Sequence, residues 1–173
     1  GSFTSRLNQN LREQHGYTYG AGSGYAMSPT TGYFTAITSV RSDVTGASLR
    51  ELLAELKRLA GGAKGDITDQ ETDKARRTLR AATVQSFAGL GGVLGTGSEL
   101  VLNGLPFDST AGDLAELGSA TTAELNALCQ RAIRIEHGVL VLVGDRTVVL
   151  PQLEGLGLPT PIEVDVHGDP VQR

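Results

Sequence analysis

The sequence contains few of the residues that most often mark a recognisable chemistry. In 173 residues it has one cysteine, Cys129, no tryptophan and three histidines. A single cysteine cannot form an internal disulfide, and because Cys129 falls on the apolar side of a helical pattern we expect it to be a small core residue. His15, His137 and His167 lie far apart, and none has a second histidine or a cysteine at metal-ligand spacing. The composition therefore supports neither a disulfide scaffold nor a metal centre in this chain.

Neither sign of charge is in large excess. The 15 basic and 19 acidic residues are interspersed and give a net charge of -4, so we expect no nucleic-acid partner and no anionic membrane surface as partner. No apolar run approaches the roughly 20 residues that a membrane span requires. We therefore expect a soluble protein, cytoplasmic or periplasmic, with the compartment left open. Whether Gly1 and Ser2 are native or an expression remnant also stays open.

Common catalytic motifs are missing as well. The glycine-rich stretch 89–97 lacks the strand before it and the Lys-Ser/Thr pair after it that a P-loop needs, so helix breaking or close helix packing is the better interpretation. Ser86 and Ser98 lack the Gly-x-Ser-x-Gly elbow of a nucleophilic serine. The adjacent pair Glu136 and His137 is typical of a surface turn. From its residues alone, the chain looks unable to catalyse a reaction.

Hydrophobic periodicity predicts strands towards both ends and helices in the middle. A short amphipathic helix is expected over residues 3–14, ending near Gly16, and period-two alternation begins at Tyr17. In that strand Tyr17, Tyr19 and Ala21 should share one face, and "YFTAITSV" should pair with it in a hairpin whose loop is longer than two residues.

The later elements follow from caps and apolar runs. Leucines at helical spacing predict a helix that ends at Gly61 and Gly62. It could begin at a capping box formed by Ser48 and Glu51, or earlier, at Asp43. Two further boxes, Thr68 with Glu71 and Thr121 with Glu124, each predict a helix, and the glycine-rich segment between these helices predicts a broken one. "GVLVLVGD" predicts a strand buried on both faces, and 162–166 predicts a last strand. We expect one α+β domain over 1–173, with a largely antiparallel sheet and helices packed on one face.

One segment carries a family resemblance. "GSFTSRLNQNLREQHGYTYGAGSGYA" resembles the pattern Gly-Gly-x-Phe/Leu-x-Ser-Arg-Leu, Leu-Arg-Glu and a strand tyrosine of the insulinase (pitrilysin-like) zinc peptidases, which include the mitochondrial processing peptidases. "GDITDQETDKARRTL" and "VLVLVGD" look like later elements of the same domains. No His-x-x-Glu-His zinc motif occurs in the chain, so it resembles the C-terminal, non-catalytic half.

The resemblance implies roles for two residues. In that half, an arginine and a tyrosine seven residues apart reach the substrate at the zinc site of the partner half, and by position these are Arg12 and Tyr19. Arg12 would hydrogen-bond the peptide backbone, and Tyr19 would donate to the carbonyl oxygen as negative charge develops. From the residues alone, Arg12 could equally be a solvated charge at a helix end and Tyr19 an ordinary strand residue. Tyr17 and Tyr25 are expected to be packing residues.

The resemblance also implies partners. We expect no cofactor in this chain and zinc in a catalytic half, which lies on the same polypeptide or on a separate subunit. The expected substrates are short or unfolded peptides. The alternative is a catalytically inactive scaffold subunit, such as those of respiratory complexes. The family's domain has a further strand and helix before the quoted segment, so we expect the domain to be incomplete at its N-terminus, with homo-oligomer contacts or strand addition at an exposed sheet edge.

Overall fold

The computed structural model describes residues 3–61 and 66–171. A π-helix at Asn8–Gln14 leads into two strands, β1 at Thr18–Met27 and β2 at Gly32–Val40. Six helices follow, and they are α1 Thr45–Ala60, α2 Asp69–Ser86, α3 Leu90–Leu102, α4 Ser109–Ser119, α5 Thr122–Ala132 and α6 Arg146–Val149. Short 3₁₀ turns lie at Ser42–Val44, Ile135–His137 and Leu150–Leu153. The α+β class is confirmed, although the sheet within the described residues has only two strands.

The opening helix forms where its apolar spacing predicts it, but in an uncommon form. Leu7 and Leu11 are buried, whereas Phe3 is mostly exposed. Seven residues adopt the wider π-helical winding, and the His15 N–H donates to the Asn10 carbonyl, 3.1 Å away. Gly16 then takes a positive φ of 62° and ends the helix. One apolar residue at every fourth position is compatible with both an α-helix and a π-helix. The pattern therefore predicts where the helix lies but not which type it is.

Strands β1 and β2 form the expected antiparallel hairpin. Tyr25 pairs with Phe34 and Met27 with Gly32, and residues 28–31 form the loop, which is longer than two residues. The base of the hairpin packs on the π-helix and on α1. The core there consists of Leu7, Leu11 and Ala21, with Tyr17, Ala36 and Leu52 packed around it.

Local start and stop signals account for most helix ends. The capping boxes of Thr68 with Glu71 and of Thr121 with Glu124 are both formed. Gly61 ends α1 with a φ of 71°, and Gly62 lies outside the described residues. The proposed box of Ser48 with Glu51 is wrong, because α1 begins earlier, at Thr45. The Ser48 hydroxyl lies inside the helix and donates to the Val44 carbonyl at 2.8 Å.

The predicted break is found at the first glycine of the glycine-rich segment, whereas the glycines after it lie within a continuous helix. The break lies before α3, at Gly89, and the helix then runs from Leu90 to Leu102. One of its glycines has a packing role: a Cβ on Gly92 would lie 1.7 Å from the Ser86 carbonyl oxygen. The end of α2 can therefore lie this close to α3 only because residue 92 is a glycine and has no side chain.

The two predicted C-terminal strands are not formed within the described residues. Residues 139–143 form no strand, and Val139, Val141 and Val143 are 89%, 75% and 96% exposed, so the expectation of burial on both faces is wrong. At 162–166 there is only an isolated bridge between Val164 and Pro170. An apolar run forms a strand only where another strand pairs with it. In the described part of the chain, no helix is long and apolar enough to cross a membrane.

Candidate functional site

Arg12 lies on the π-helix, near the surface. Its guanidinium carbon lies 4.1 Å from the centre of the Phe3 ring, a cation–π contact, and its Nε lies 3.6 Å from a carboxylate oxygen of Glu13. The side chain is partly exposed. The guanidinium carbon lies over the Phe3 ring, and the N–H groups of a guanidinium lie in its own plane, where they can donate to a carbonyl or carboxylate. Arg12 is therefore held in place and still able to bind.

Tyr19 lies on β1 and is 99% exposed. It is displaced from the face that alternation predicts, because the register shifts between Thr18 and Ala21. Ala21 faces the core, as expected, while Tyr19 points into solvent. No hydrogen bond, ring contact or ion pair of Tyr19 is found within the described ranges, so its hydroxyl is available to another molecule.

Buried asparagine side chains join the elements that carry these two residues. The Asn8 Oδ1 accepts a hydrogen bond from the backbone N–H of Ala21 at 2.7 Å, which ties the π-helix to β1. Asn10 Nδ2 donates to carboxylates of Glu51 and Glu55 on α1, each at 3.1 Å. A hydrogen bond from the Tyr17 N–H to the Leu11 carbonyl, at 2.8 Å, completes the junction. The π-helix is thus fixed to the hairpin on one side and to α1 on the other.

Sequence reasoning assigned no role to Arg6, the arginine of the Ser-Arg-Leu motif, although the structure gives it an extensive one. Its Nε and one terminal nitrogen donate to the two carboxylate oxygens of Glu71, at 2.5 and 2.7 Å. It also contacts the Asp66 carboxylate at 3.0 Å. The hydrogen bond from Arg6 is the main cause that lowers the pKa of Glu71 to about 2. Arg6 therefore attaches the start of the chain to the first turn of α2.

The structure places Arg12 and Tyr19 on adjacent elements without direct contact between them. The described residues contain no hydrogen bond or ion pair that joins the two side chains, and each faces outwards from the junction. They offer a planar cation and an exposed phenol on two elements that are in contact with each other. This arrangement can donate hydrogen bonds to a ligand, but it contains no nucleophile.

The other tyrosines of the segment pack against neighbours. Tyr17 lies against the core of Leu7, Leu11 and Ala21 and stacks on His15, with ring centres 4.8 Å apart. Tyr25 contacts Phe34 across the hairpin, with ring centres 5.0 Å apart. Both therefore have the packing contacts expected of them.

The remaining titratable candidates show no assembled site. Among residues 3–61 and 66–171, no group of three or more His, Cys, Asp and Glu is placed to hold a metal ion. Zinc does not fit the side chains described here. Cys129 is half-buried, and burial raises the pKa of its thiol. Glu136 and His137 lie in an exposed 3₁₀ turn, as predicted.

Comparison with known proteins agrees with these features. Residues 1–79 match the family model described as the peptidase M16 inactive domain. The fold is similar to the crystal structure of a peptidase M16 inactive domain from Pseudomonas fluorescens, with a TM-score of 0.65 and 23% sequence identity. That alignment covers 78% of this chain and 31% of the other, so this chain spans less than a third of its length. No match was found among curated proteins. The resemblance seen in the sequence is thereby confirmed for residues 1–79, which match the non-catalytic, inactive domain of the peptidase M16 family.

Proposed function

We propose that this chain is the substrate-binding, non-catalytic half of a two-part zinc metallopeptidase that hydrolyses short or unfolded peptides. The observation that carries the proposal is the position of Tyr19, whose ring is exposed beside the element that holds Arg12. A large aromatic ring left in water adds little to folding, whereas a phenol at the surface can donate to a bound molecule. The match of residues 1–79 to the peptidase M16 inactive domain supplies the setting in which such a donor would have a use.

Tyr19 acts on the scissile carbonyl. As water attacks a peptide bond, negative charge builds up on the carbonyl oxygen, and a correctly placed donor stabilises that charge more than it stabilises the ground state. The Tyr19 hydroxyl supplies such a donor. Its bond to the oxygen strengthens only as the charge appears, so its contribution falls on kcat.

Arg12 binds the peptide before any chemistry occurs. Its guanidinium rests against the Phe3 ring at 4.1 Å, which limits the conformations it must lose when a peptide arrives. Its in-plane N–H groups then donate to backbone carbonyls of an extended peptide. These bonds are alike in the ground and transition states, so loss of Arg12 acts on KM.

The partner is a catalytic half with a His-x-x-Glu-His motif, on the same polypeptide or on a separate subunit. When bound there, zinc activates a water molecule and polarises the peptide carbonyl. Two features of this chain support a partner surface. The edges of the two-stranded sheet are unpaired within the described residues, and Val139, Val141 and Val143 are exposed apolar residues in a segment that forms no strand. A strand from the partner, or from a second copy in a homo-oligomer, would cover them.

The test uses the complex of this chain with its zinc-bearing half and an internally quenched, unstructured peptide. Tyr19→Phe should lower kcat about a hundredfold with little change in KM, the loss expected for one donor to the developing charge. Tyr33→Phe is the matched control, because Tyr33 is also an exposed hairpin tyrosine but lies near the tip, and it should leave both constants unchanged.

Arg12 has a different signature in the same assay. Arg12→Ala should raise KM, and Arg12→Lys should recover only part of the loss because the planar fork is missing. If the complex forms but none of these variants alters turnover, the chain is a scaffold subunit instead. A Tyr19→Phe variant that melts early yet turns over peptide normally would make Tyr19 a packing residue and would refute the proposal.

A further inference from the structure

The position of Tyr19 depends on a β-bulge in β1. Thr18 pairs with Val40 and Ala21 pairs with Thr38, so Tyr19 and Gly20 together lie opposite the single residue Ser39. Such an insertion bends the strand and changes the direction of the side chains next to it. In a regular strand Tyr19 would share the face of Ala21, which packs into the core. With the bulge, Tyr19 leaves that face and is exposed.

Two threonine hydroxyls hold the bulge together. The Thr18 Oγ1 lies 2.6 Å from the Ser39 carbonyl oxygen and accepts the Gly20 N–H at 3.0 Å. The Thr38 Oγ1 lies 3.1 Å from the Gly20 carbonyl oxygen and 3.1 Å from the Thr18 Oγ1. Each hydroxyl has one proton to donate. The arrangement that satisfies the most groups has Thr18 donating to Ser39 and Thr38 donating to Gly20, with the Gly20 N–H donating to Thr18.

The other flank of the bulge is fixed from the π-helix. Asn8 accepts the N–H of Ala21 at 2.7 Å, immediately after the two bulged residues, Tyr19 and Gly20. The bulge is therefore held between a side-chain hydroxyl before Tyr19 and a buried carboxamide after Gly20. Because Asn8 belongs to the same helix as Arg12, these contacts also relate the position of Tyr19 to that of Arg12.

We propose that Thr18 is a positioning residue for Tyr19, with the Thr38 hydroxyl as its support. This inference rests on the proposed function for its kinetic consequence, but its structural consequence can be measured without it. Loss of the Thr18 hydroxyl removes the acceptor of the Gly20 N–H and the donor to Ser39. The strand can then relax towards regular pairing, which returns Tyr19 towards the face of Ala21.

The first experiment examines the chain by NMR, with Thr18→Val as the variant because valine keeps the shape and removes the hydroxyl. We expect faster hydrogen exchange at the Gly20 amide and a changed chemical shift for the Tyr19 ring, while the melting temperature stays close to that of the parent chain. Thr18→Ser should restore both signals. Thr35→Val is the control, since Thr35 is an exposed threonine on the same hairpin away from the bulge. Unchanged Gly20 exchange and Tyr19 shifts in Thr18→Val would overturn the inference.

The second experiment measures turnover in the complex with the zinc-bearing half. Misplacing a catalytic group without deleting it should reduce kcat about tenfold with little change in KM, and Thr18→Ser should recover most of the rate. In a Tyr19→Phe background Thr18→Val should cost nothing further, because it acts through the missing hydroxyl. An equal loss in both backgrounds would refute positioning through Tyr19. If Tyr19→Phe itself leaves kcat unchanged, the proposed function fails while the NMR result still decides the role of Thr18.

Discussion

The contact between Arg6 and Glu71 offers a sharp test of what holds the start of the chain in place. Glu71 has two partners: its carboxylate accepts from the Thr68 N–H in the capping box of α2, and it also accepts two hydrogen bonds from Arg6. Glutamine can close a capping box as glutamate does. Glu71→Gln therefore keeps the cap and removes the charge, which isolates the ion pair.

The magnitude follows from the pKa of Glu71. A fall from 4.5 to about 2 would correspond to roughly 3.4 kcal/mol if the pair were shielded from water. The two side chains are 24% and 37% exposed, so solvent screening reduces the expected contribution. We expect Glu71→Gln to lower the free energy of unfolding at pH 7 by about 1–2 kcal/mol.

The pH dependence has a definite sign. Because the folded-state pKa of Glu71 is lowered, the ionised carboxylate favours the folded state. The contribution is complete above the unfolded pKa of 4.5, declines as the pH falls and is lost near the folded pKa of about 2. At pH 3 less than half of it should remain. The difference between the parent chain and Glu71→Gln should therefore shrink on acidification.

The assay is urea unfolding followed by circular dichroism at several pH values between 3 and 7. Glu124→Gln is the matched control, because Glu124 closes the other capping box with Thr121 and has no arginine partner among the described residues. If Glu71→Gln and Glu124→Gln cost the same at pH 7, the ion pair contributes nothing measurable. A difference between parent and Glu71→Gln that stays constant down to pH 3 would equally refute the reasoning.

Two further predictions concern the core and the metal. Leu11→Ala should lower the free energy of unfolding by about 2–5 kcal/mol, because Leu11 is fully buried between the π-helix, the hairpin and α1. Leu79→Ala, at an exposed position, should lower it by less than about 0.5 kcal/mol. Urea unfolding measures both values. The chain alone should retain no stoichiometric zinc after dialysis and should hydrolyse no peptide, as measured by metal analysis and a quenched-peptide assay. Stoichiometric zinc in the dialysed chain would contradict its assignment as a non-catalytic half.

Features set by neighbours in sequence could be predicted, and features set by distant neighbours could not. The capping boxes at Thr68 and Thr121 need only a hydroxyl and a carboxylate three residues apart, so they were found correctly. The strand expected at 139–143 failed because burial depends on what covers a segment, and an apolar run contains no information about that. At the β1 bulge the hydroxyls of Thr18 and Thr38 are in contact although these residues lie 20 positions apart in the sequence, so no local pattern indicates the bulge.

The candidate site shows the same division. The resemblance to the family predicts Arg12 and Tyr19 as site residues, and the spacing of the apolar residues predicts the position of the helix that carries Arg12. Strict alternation, however, placed Tyr19 on the face of Ala21, and Arg6 received no role. Arg6 meets Glu71 across 65 positions of sequence, a pairing that no local pattern encodes. Chain segments brought together by folding therefore decide how these side chains are presented.

The exposure of Tyr19 is best understood by asking what it contributes to folding. A regular strand would return the ring to the side of Leu7 and Leu11, where it could bury apolar surface and stabilise the fold. The bulge instead leaves the ring in water and interrupts the ladder, and both effects weaken the hairpin. The contacts from Thr18 and Asn8 nevertheless favour this less stable arrangement. Burial of the Tyr19 ring gives no reason for this arrangement, whereas the proposed role of Tyr19 as a donor to a bound peptide does. The structural cost at the bulge and the proposed role of the Tyr19 hydroxyl are thus two consequences of the same extra residue in β1.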